Sequence, residues 1–290
     1  MSKRPLLGVI GGTGLYDMPH LKVTEERVIE TPFGEPSSPY VIGEIQDTQV
    51  IFLSRHGRGH RFLPQEINYR ANIYGFKQLG VEQILAISAV GSMKKTIRPG
   101  DFVVVDQFFD RTRTRPATFF GDGLVAHVSL ADPVCPRLSE LVAQAASHSG
   151  ATVHRGGTYL CIEGPQFSTR AESSVYRTWG VDVIGMTNLS EARLAREAEL
   201  CFSTLALATD YDCWHESEAD VDVEAVMAVI ADNANRAQDT VMRLCGLIAT
   251  SPRTCACGSA LAAAITSDHE VISNETATRL ALLVGKYLDQ

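Results

Sequence analysis

The sequence predicts an α/β protein, and three observations carry that reading. Leu6–Ile10, Gln83–Ser88 and Cys201–Ala208 are short, nearly continuous apolar runs, the pattern of strands buried on both faces. Between and after them stand stretches with helical periodicity. The longest has apolar positions at Val223, Val226, Met227, Ile230, Ala234, Ala237, Val241 and Leu244. Finally, each run ends in glycine or a small polar residue, where a strand gives way to a loop.

Taken in order, Leu6–Ile10 reads as a first strand entering a glycine turn, Gly11-Gly12-Thr13-Gly14. Glycines there let backbone N–H groups approach an anion, and Thr13 adds a hydroxyl. A dinucleotide fingerprint fails, because Asp17 stands where its third glycine belongs. The choice at this turn is between phosphate contact and a tight turn without ligand. The proline-rich loop Thr31–Pro39 precedes strands near Tyr40–Ile45 and Gln49–Leu53. The second strand ends in Ser54-Arg-His-Gly-Arg-Gly-His60, the densest cationic cluster in the chain. Arg55 offers bidentate geometry for phosphate and His56 a further donor; a solvated basic loop is the plainer reading.

A helix starting at Asn68–Asn72 leads to the strand Gln83–Ser88, followed by the small residues Ser88-Ala-Val-Gly-Ser92, and a further strand lies within Gly100–Gln107. The long loop Arg111–Gly123 alternates Arg111, Arg113 and Arg115 with threonine. Such a loop is functional or lies at a subunit contact. His127, alone among Val125–Val128, reads as structural. A helix at Leu138–Ser149 and a strand at Gly157–Ile162 bring the chain to Glu163-Gly-Pro-Gln-Phe167. There Phe167 is either a stacking face for a planar base or a core-edge aromatic. Val181–Gly185 is a short strand before Met186-Thr187-Asn188, and a helix follows at Glu191–Glu199. Beyond the long helix the C-terminal stretch holds a shorter one, Thr276–Tyr287.

The end of the strand Cys201–Ala208 is the richest in chemistry. Thr209, Asp210 and Asp212 follow it, and ligands of open α/β sheets sit beyond the carboxyl ends of strands. In extended chain, carboxylates at i and i+2 point the same way. An ionised carboxylate only accepts hydrogen bonds and a protonated one donates, so the pair suits a heterocycle with an exocyclic amine and a ring nitrogen awaiting a proton. Adenine has both. The competing reading is an Asp-rich turn capping the next element.

Composition bounds the partners. The formal net charge is −8 with no long basic run, which argues against nucleic acid but leaves room for a small anionic substrate in a local cationic pocket. No apolar run of about 18 residues is present, so no membrane span is expected. The seven cysteines are an odd number scattered along the chain, which fits a reducing cytoplasm. Cys255-Ala-Cys257 is either a strained disulfide, a redox pair or two ordinary thiols. Metal binding is not expected, since no second Cys or His pair lies at ligand spacing.

Several stretches together resemble one family. Val9-Ile-Gly-Gly-Thr-Gly14, Thr31-Pro-Phe-Gly34, Arg55-His-Gly57, Glu163-Gly-Pro165, Phe167-Ser168, Arg170-Ala-Glu-Ser173 and Ala208-Thr-Asp-Tyr-Asp-Cys-Trp214 are similar to the S-methyl-5'-thioadenosine phosphorylases of the trimeric purine nucleoside phosphorylase superfamily. The similarity runs from about residue 6 to about 248. It implies a single α/β domain over 1–290, a mixed, barrel-like central sheet flanked by helices, and a homotrimer or dimer of trimers. It further implies a phosphate site of Thr13, Arg55, His56, Ser88, Ala89 and Thr187, and a ribose contact at Met186 with His127 reaching over from a neighbouring subunit. Phe167 and Ser168 would line the base pocket, Asp210 and Asp212 would be catalytic at the purine N7 and N6 edge, and Val223, Val226 and Met227 would receive the 5'-methylthio group.

The implied reaction is phosphorolysis of S-methyl-5'-thioadenosine to adenine and 5-methylthioribose 1-phosphate, with orthophosphate as co-substrate and no cofactor or metal. The alternative is a 6-oxopurine nucleoside or methylthioinosine phosphorylase, in which Asn is expected where this chain has Asp; a non-catalytic nucleoside binder is the reading from another class. Val90 replaces a cysteine of mammalian members, Gln166 stands where arginine is common, and Asn188-Leu189 is unusual. The stretch after 250 does not align with the pattern. Its Cys-x-Cys is similar to that of some prokaryotic members that carry disulfides.

Overall fold

The computed structural model describes residues 6–12, 21–215 and 223–288, with side chains in 223–232 described only in part. Eleven strands are β1 (Leu6–Gly11), β2 (Lys22–Arg27), β3 (Tyr40–Ile45), β4 (Thr48–Ser54), β5 (Gln83–Ser92), β6 (Phe102–Val105), β7 (Gln107–Arg111), β8 (Val153–Arg155), β9 (Thr158–Ile162), β10 (Val183–Gly185) and β11 (Cys201–Asp210). Six helices are α1 (Tyr69–Gln78), α2 (Pro136–Ser147), α3 (Arg170–Thr178), α4 (Asn188–Glu197), α5 (Val223–Thr250) and α6 (Asn274–Leu288).

The centre of the sheet is β5. Its first half pairs in parallel with β1 on one side and β11 on the other, because all three are apolar runs that need cover on both faces. Its end, Gly91-Ser92, turns to pair antiparallel with β10. One path of strands runs β2-β3-β4-β1-β5-β10-β9-β7, and β11, β6 and β8 branch from β5. The sheet is mixed and flanked by helices, as the resemblance implies. It is not closed into a barrel, however: β2, β7 and β8 each pair with a single strand among the described residues.

Strand periodicity sorts the core into layers. Ile10, Ile84, Ala86 and Phe202 face α1, α4 and α6 through Ile73, Phe76, Leu194, Leu280 and Leu283. Their neighbours Val9, Leu85, Ile87, Leu205 and Leu207 face α2 and α5 through Leu138, Val142, Val241, Leu244 and Ile248. On α5 the buried positions 237, 241, 244, 245 and 248 form one stripe, as the sequence pattern predicts.

Three features differ from the sequence expectation. The segment Ser88–Ser92, expected just past a strand, lies within β5, since pairing with β11 and β10 continues through it. The edge strand β2 is exposed throughout and carries no apolar pattern to betray it. The loop after Glu163 contains α3, started by a capping box in which Thr169 accepts from the Glu172 N–H and Glu172 accepts from the Thr169 N–H.

Candidate active site

A cavity of about 770 Å³ opens where the ends of β4, β5, β10 and β11 converge. That volume lies in the range of small-molecule sites. Arg55, His56, Ser88, Ala89, Phe167, Ser168, Met186, Thr187, Asp210, Asp212 and Met227 all line it, although they come from six separate stretches of chain. Of the remaining expected residues, Thr13 lies outside the described residues, as do the side chains of Val223 and Val226; Gly12, next to Thr13, lines the cavity. His127 does not enter the cavity of its own chain. It sits in a separate recess with Arg193 and Glu197.

At one end stand the carboxylates. Asp210 is the last residue of β11, one residue beyond a register shift against β5 between Ala208 and Asp210. Its Oδ2 accepts from the Thr209 hydroxyl at 2.7 Å and its Oδ1 from the Asp212 N–H at 2.7 Å. The extended-chain reason for their alignment does not hold. Asp212 lies in a turn with φ 51°, in the left-handed region that Asp tolerates better than most residues. The two side chains meet through a bulge and a turn instead. Burial raises both carboxyl groups above the usual range, and for Asp212 the Asp210 charge adds to this.

The loop carrying them is held from outside. Trp214 Nε1 donates to the Ser92 carbonyl at 2.7 Å, and the Arg177 guanidinium lies 3.8 Å from the centre of the Trp214 ring system. Gly91 leaves the room: a Cβ there would stand 2.9 Å from Asp210 Oδ1 and 3.0 Å from Ile184 Cγ2.

The cavity wall between the two ends comes from Glu163–Ser168. Phe167 is 46% exposed with its ring available, and Ser168 Oγ is buried with no hydrogen-bond partner among the described residues. Arg115, one of the arginines of the long loop, pins this wall. Its guanidinium donates to the carbonyls of Met186, Ile162 (3.3 Å) and Glu163 (2.6 Å), and to Glu163 Oε1 (3.1 Å). Gly164, with φ 68°, allows the wall to lie against Met186, whose sulfur a Cβ would meet at 2.5 Å.

At the other end Arg55 is fully enclosed. Its Nε and Nη2 donate to the two oxygens of Glu191, the latter at 2.9 Å, and Nη1 donates to the Ile87 carbonyl at 3.1 Å. Glu191 is a partner of this site that sequence reasoning missed. An acid in the first turn of a helix reads as a partner of the helix dipole, and nothing near it in sequence marks a partner 136 residues away. Among the described residues three of the five Arg55 N–H groups are thus engaged, which leaves two there for a ligand.

His56 Nδ1 lies 2.9 Å from the Phe62 carbonyl oxygen. A carbonyl only accepts, so Nδ1 carries the proton and Nε2 of the neutral ring is an acceptor. Burial, aided by the charges of Arg55, His60 and Arg115, pushes His56 down to about 4. The ring is therefore neutral at pH 7, and its one donor is spent on the Phe62 carbonyl and not left for phosphate. Ser88 completes this end, its Oγ 3.2 Å from the Tyr159 hydroxyl. Thr187 precedes α4 without spending its hydroxyl on a cap.

One cavity thus joins an anion-compatible end to an acidic end through an aromatic wall, and the chain that builds it has known relatives. The model of the Phosphorylase superfamily matches residues 6–245. The S-methyl-5'-thioadenosine phosphorylase of Geobacter sulfurreducens is 56% identical, with 98% of this chain and 99% of that protein covered, so the stretch after 250 is shared with it. A methylthioadenosine phosphorylase from an antarctic soil metagenomic library has a solved structure that superposes with a TM-score of 0.92 at 47% identity, covering 97% of this chain and 99% of that one. Methylthioadenosine phosphorylase from Schistosoma mansoni, solved in complex with adenine, superposes with a TM-score of 0.84 at 35% identity, covering 89% and 96%. The chain belongs to the phosphorylase superfamily, in the family of the S-methyl-5'-thioadenosine phosphorylases.

Proposed function

We propose that the chain phosphorolyses S-methyl-5'-thioadenosine, with orthophosphate, to adenine and 5-methylthioribose 1-phosphate. One observation carries the reading: the raised carboxyl groups of Asp210 and Asp212 share a single cavity with Arg55, Ser88 and Thr187. The structure of the Schistosoma mansoni enzyme in complex with adenine agrees with it.

Phosphate is the nucleophile, so the chemistry calls on neither a protein nucleophile nor a cofactor. The C1'–N9 bond breaks with its electron pair passing to the purine, and a phosphate oxygen forms the new bond to C1'. Asp210, its carboxyl raised by burial, is the proton donor to N7 as negative charge gathers on the ring. Asp212 accepts from the N6 amine. The proton of monohydrogen phosphate balances the one the purine takes away, and Asp210 is reset through solvent. The phosphate dianion, held by the two remaining Arg55 N–H groups, Ser88 and Thr187, favours the cationic ribosyl group in the transition state. His56, with Nε2 as acceptor, takes a hydrogen bond from the phosphate O–H.

Phe167 stacks on the purine and the buried Ser168 hydroxyl finds its missing partner on the ligand. The 5'-methylthio group lies against Met227 at the start of α5. We place the chain in a trimer or a pair of trimers, where His127 reaches the ribose of a neighbouring subunit; native mass tests this. The function itself is tested by incubating a nucleoside panel with and without phosphate. Phosphate-dependent release of adenine from S-methyl-5'-thioadenosine is expected. Release of hypoxanthine from 6-oxopurine nucleosides instead, or cleavage indifferent to phosphate, would overturn it.

A further inference from the structure

A second cluster of reactive side chains lies away from the cavity lining. Cys135 precedes α2, Cys201 opens β11, and Cys255 and Cys257 lie in the turn after α5; their four Sγ atoms all fall within 4.8 Å of one another. Cys135, Cys201 and Cys257 are buried and Cys255 is half-buried. Cys201 Sγ and Cys255 Sγ lie 3.3 Å apart. Buried cysteines often serve as small hydrophobes, but convergence of four sulfurs on one point is not needed for packing.

Two cations face the cluster. Arg253 Nε donates to Cys201 Sγ at 3.2 Å, and Arg196 Nη1 lies 3.9 Å from Cys257 Sγ. A guanidinium gains little from a neutral thiol or a disulfide sulfur and much more from a thiolate. In addition, Cys135 sits at the N-terminus of α2, where the helix dipole favours a negative sulfur.

We propose that Cys135, Cys201, Cys255 and Cys257 bind one zinc ion in a tetrahedral, all-thiolate site. Zinc–sulfur bonds of about 2.3 Å give a tetrahedron with sulfur–sulfur edges of about 3.8 Å, which the observed group reaches with small adjustments. An all-sulfur tetrahedral set selects zinc or iron over harder ions, and four protein ligands leave no open position. The site is therefore structural. Loading breaks four S–H bonds, forms four Zn–S bonds and releases four protons to solvent. The resulting group carries two negative charges, which Arg196 and Arg253 offset. Its effect is to tie the turn after α5 to the starts of α2 and β11. The second ligand pair was invisible in sequence because Cys135 and Cys201 come together only through the packing of α2 on β11.

The test is made on the full chain, produced with zinc in the medium and purified without chelator. Elemental analysis is expected to give about one zinc per chain, and the four thiols are expected to react under non-reducing denaturation only after chelator is added. The variants Cys255→Ser and Cys257→Ser are expected to fall below about a tenth of a zinc per chain. Should they fail to fold, the wild-type chain stripped of metal is titrated with Co2+, which is expected to give thiolate-to-cobalt charge-transfer bands saturating at one ion. A chain without zinc that also takes up no Co2+ overturns the proposal. So does an intact mass about 2 Da lower per cysteine pair, which assigns the cluster to disulfides.

Discussion

The two ends of the cavity handle charge in opposite ways. At the acidic end, Asp212 is buried and Asp210 half-buried beside it, and burial raises both carboxyl groups above the usual range, so each resists ionisation. At the cationic end the charge is already matched: Arg55 is locked onto Glu191, with side-chain exposures of 3% and 1%. The first arrangement suits a group that must give up a proton during each turnover. The second suits an anchor that must not move, because reorganising a buried ion pair is expensive. The site thus separates its movable proton from its fixed charges, with the wall pinned by Arg115 between them.

Substitutions at the two ends should therefore fail differently. The largest effect is expected from Asp210→Asn, which removes the donated proton. It should lower kcat/KM for adenine nucleosides by about 10²–10⁴ with little change in the KM for phosphate. Steady-state kinetics with both substrates varied checks this, and a raised phosphate KM would break the separation. At the other end, Glu191→Ala leaves the Arg55 charge buried and unpaired. A loss of about 3–5 kcal/mol in unfolding free energy is expected, measured by denaturant titration, and Glu191→Gln should recover part of it.

Gly91→Ala sharpens the picture at the purine end without altering any titratable group. Its Cβ would press on Asp210 Oδ1, and misplacement by about 1 Å is expected to lower kcat/KM by about 10² while phosphate binding persists. His56 tests the phosphate end through pH. Its folded-state value of about 4 lies below its ordinary 6.5, so the unfolded chain takes up a proton that the folded chain refuses. This contribution to stability is present above pH 6.5 and is lost as pH falls toward 4, by about 2 kcal/mol between pH 7 and 5. The raised carboxyls of Asp210 and Asp212 act in the opposite sense, so the comparison is between wild type and His56→Gln at each pH. The smallest effect is expected from Ser168→Ala, which removes one hydrogen bond to the base or ribose. A rise of about three- to tenfold in nucleoside KM, with kcat nearly unchanged, is expected from titration of initial rates.

Much of the site was legible before the structure because its residues sit at strand ends, and strands announce themselves as apolar runs. Arg55 and His56 follow β4, Thr187 follows β10, and Asp210 ends β11. What failed was geometry inferred from local rules. The two aspartates converge through a bulge and a left-handed residue and not through extended chain. The residue type alone allows His56 to act as a donor, whereas its burial and the Phe62 carbonyl leave its free nitrogen an acceptor. The exposed edge strand β2 and the short α3 left no apolar period to read.

By itself, then, the sequence determined the α/β class, the order of the buried strands along the chain and the polar residue types that gather at their ends. Those properties rest on side-chain period and polarity within a few residues. Only the tertiary structure decided that Glu191 neutralises Arg55, that Arg115 reaches Met186 and Glu163, that the sheet stays open, and that four cysteines spread over residues 135 to 257 share one point. Such pairings depend on strand register and on which helix packs over which strand, and no local pattern records either.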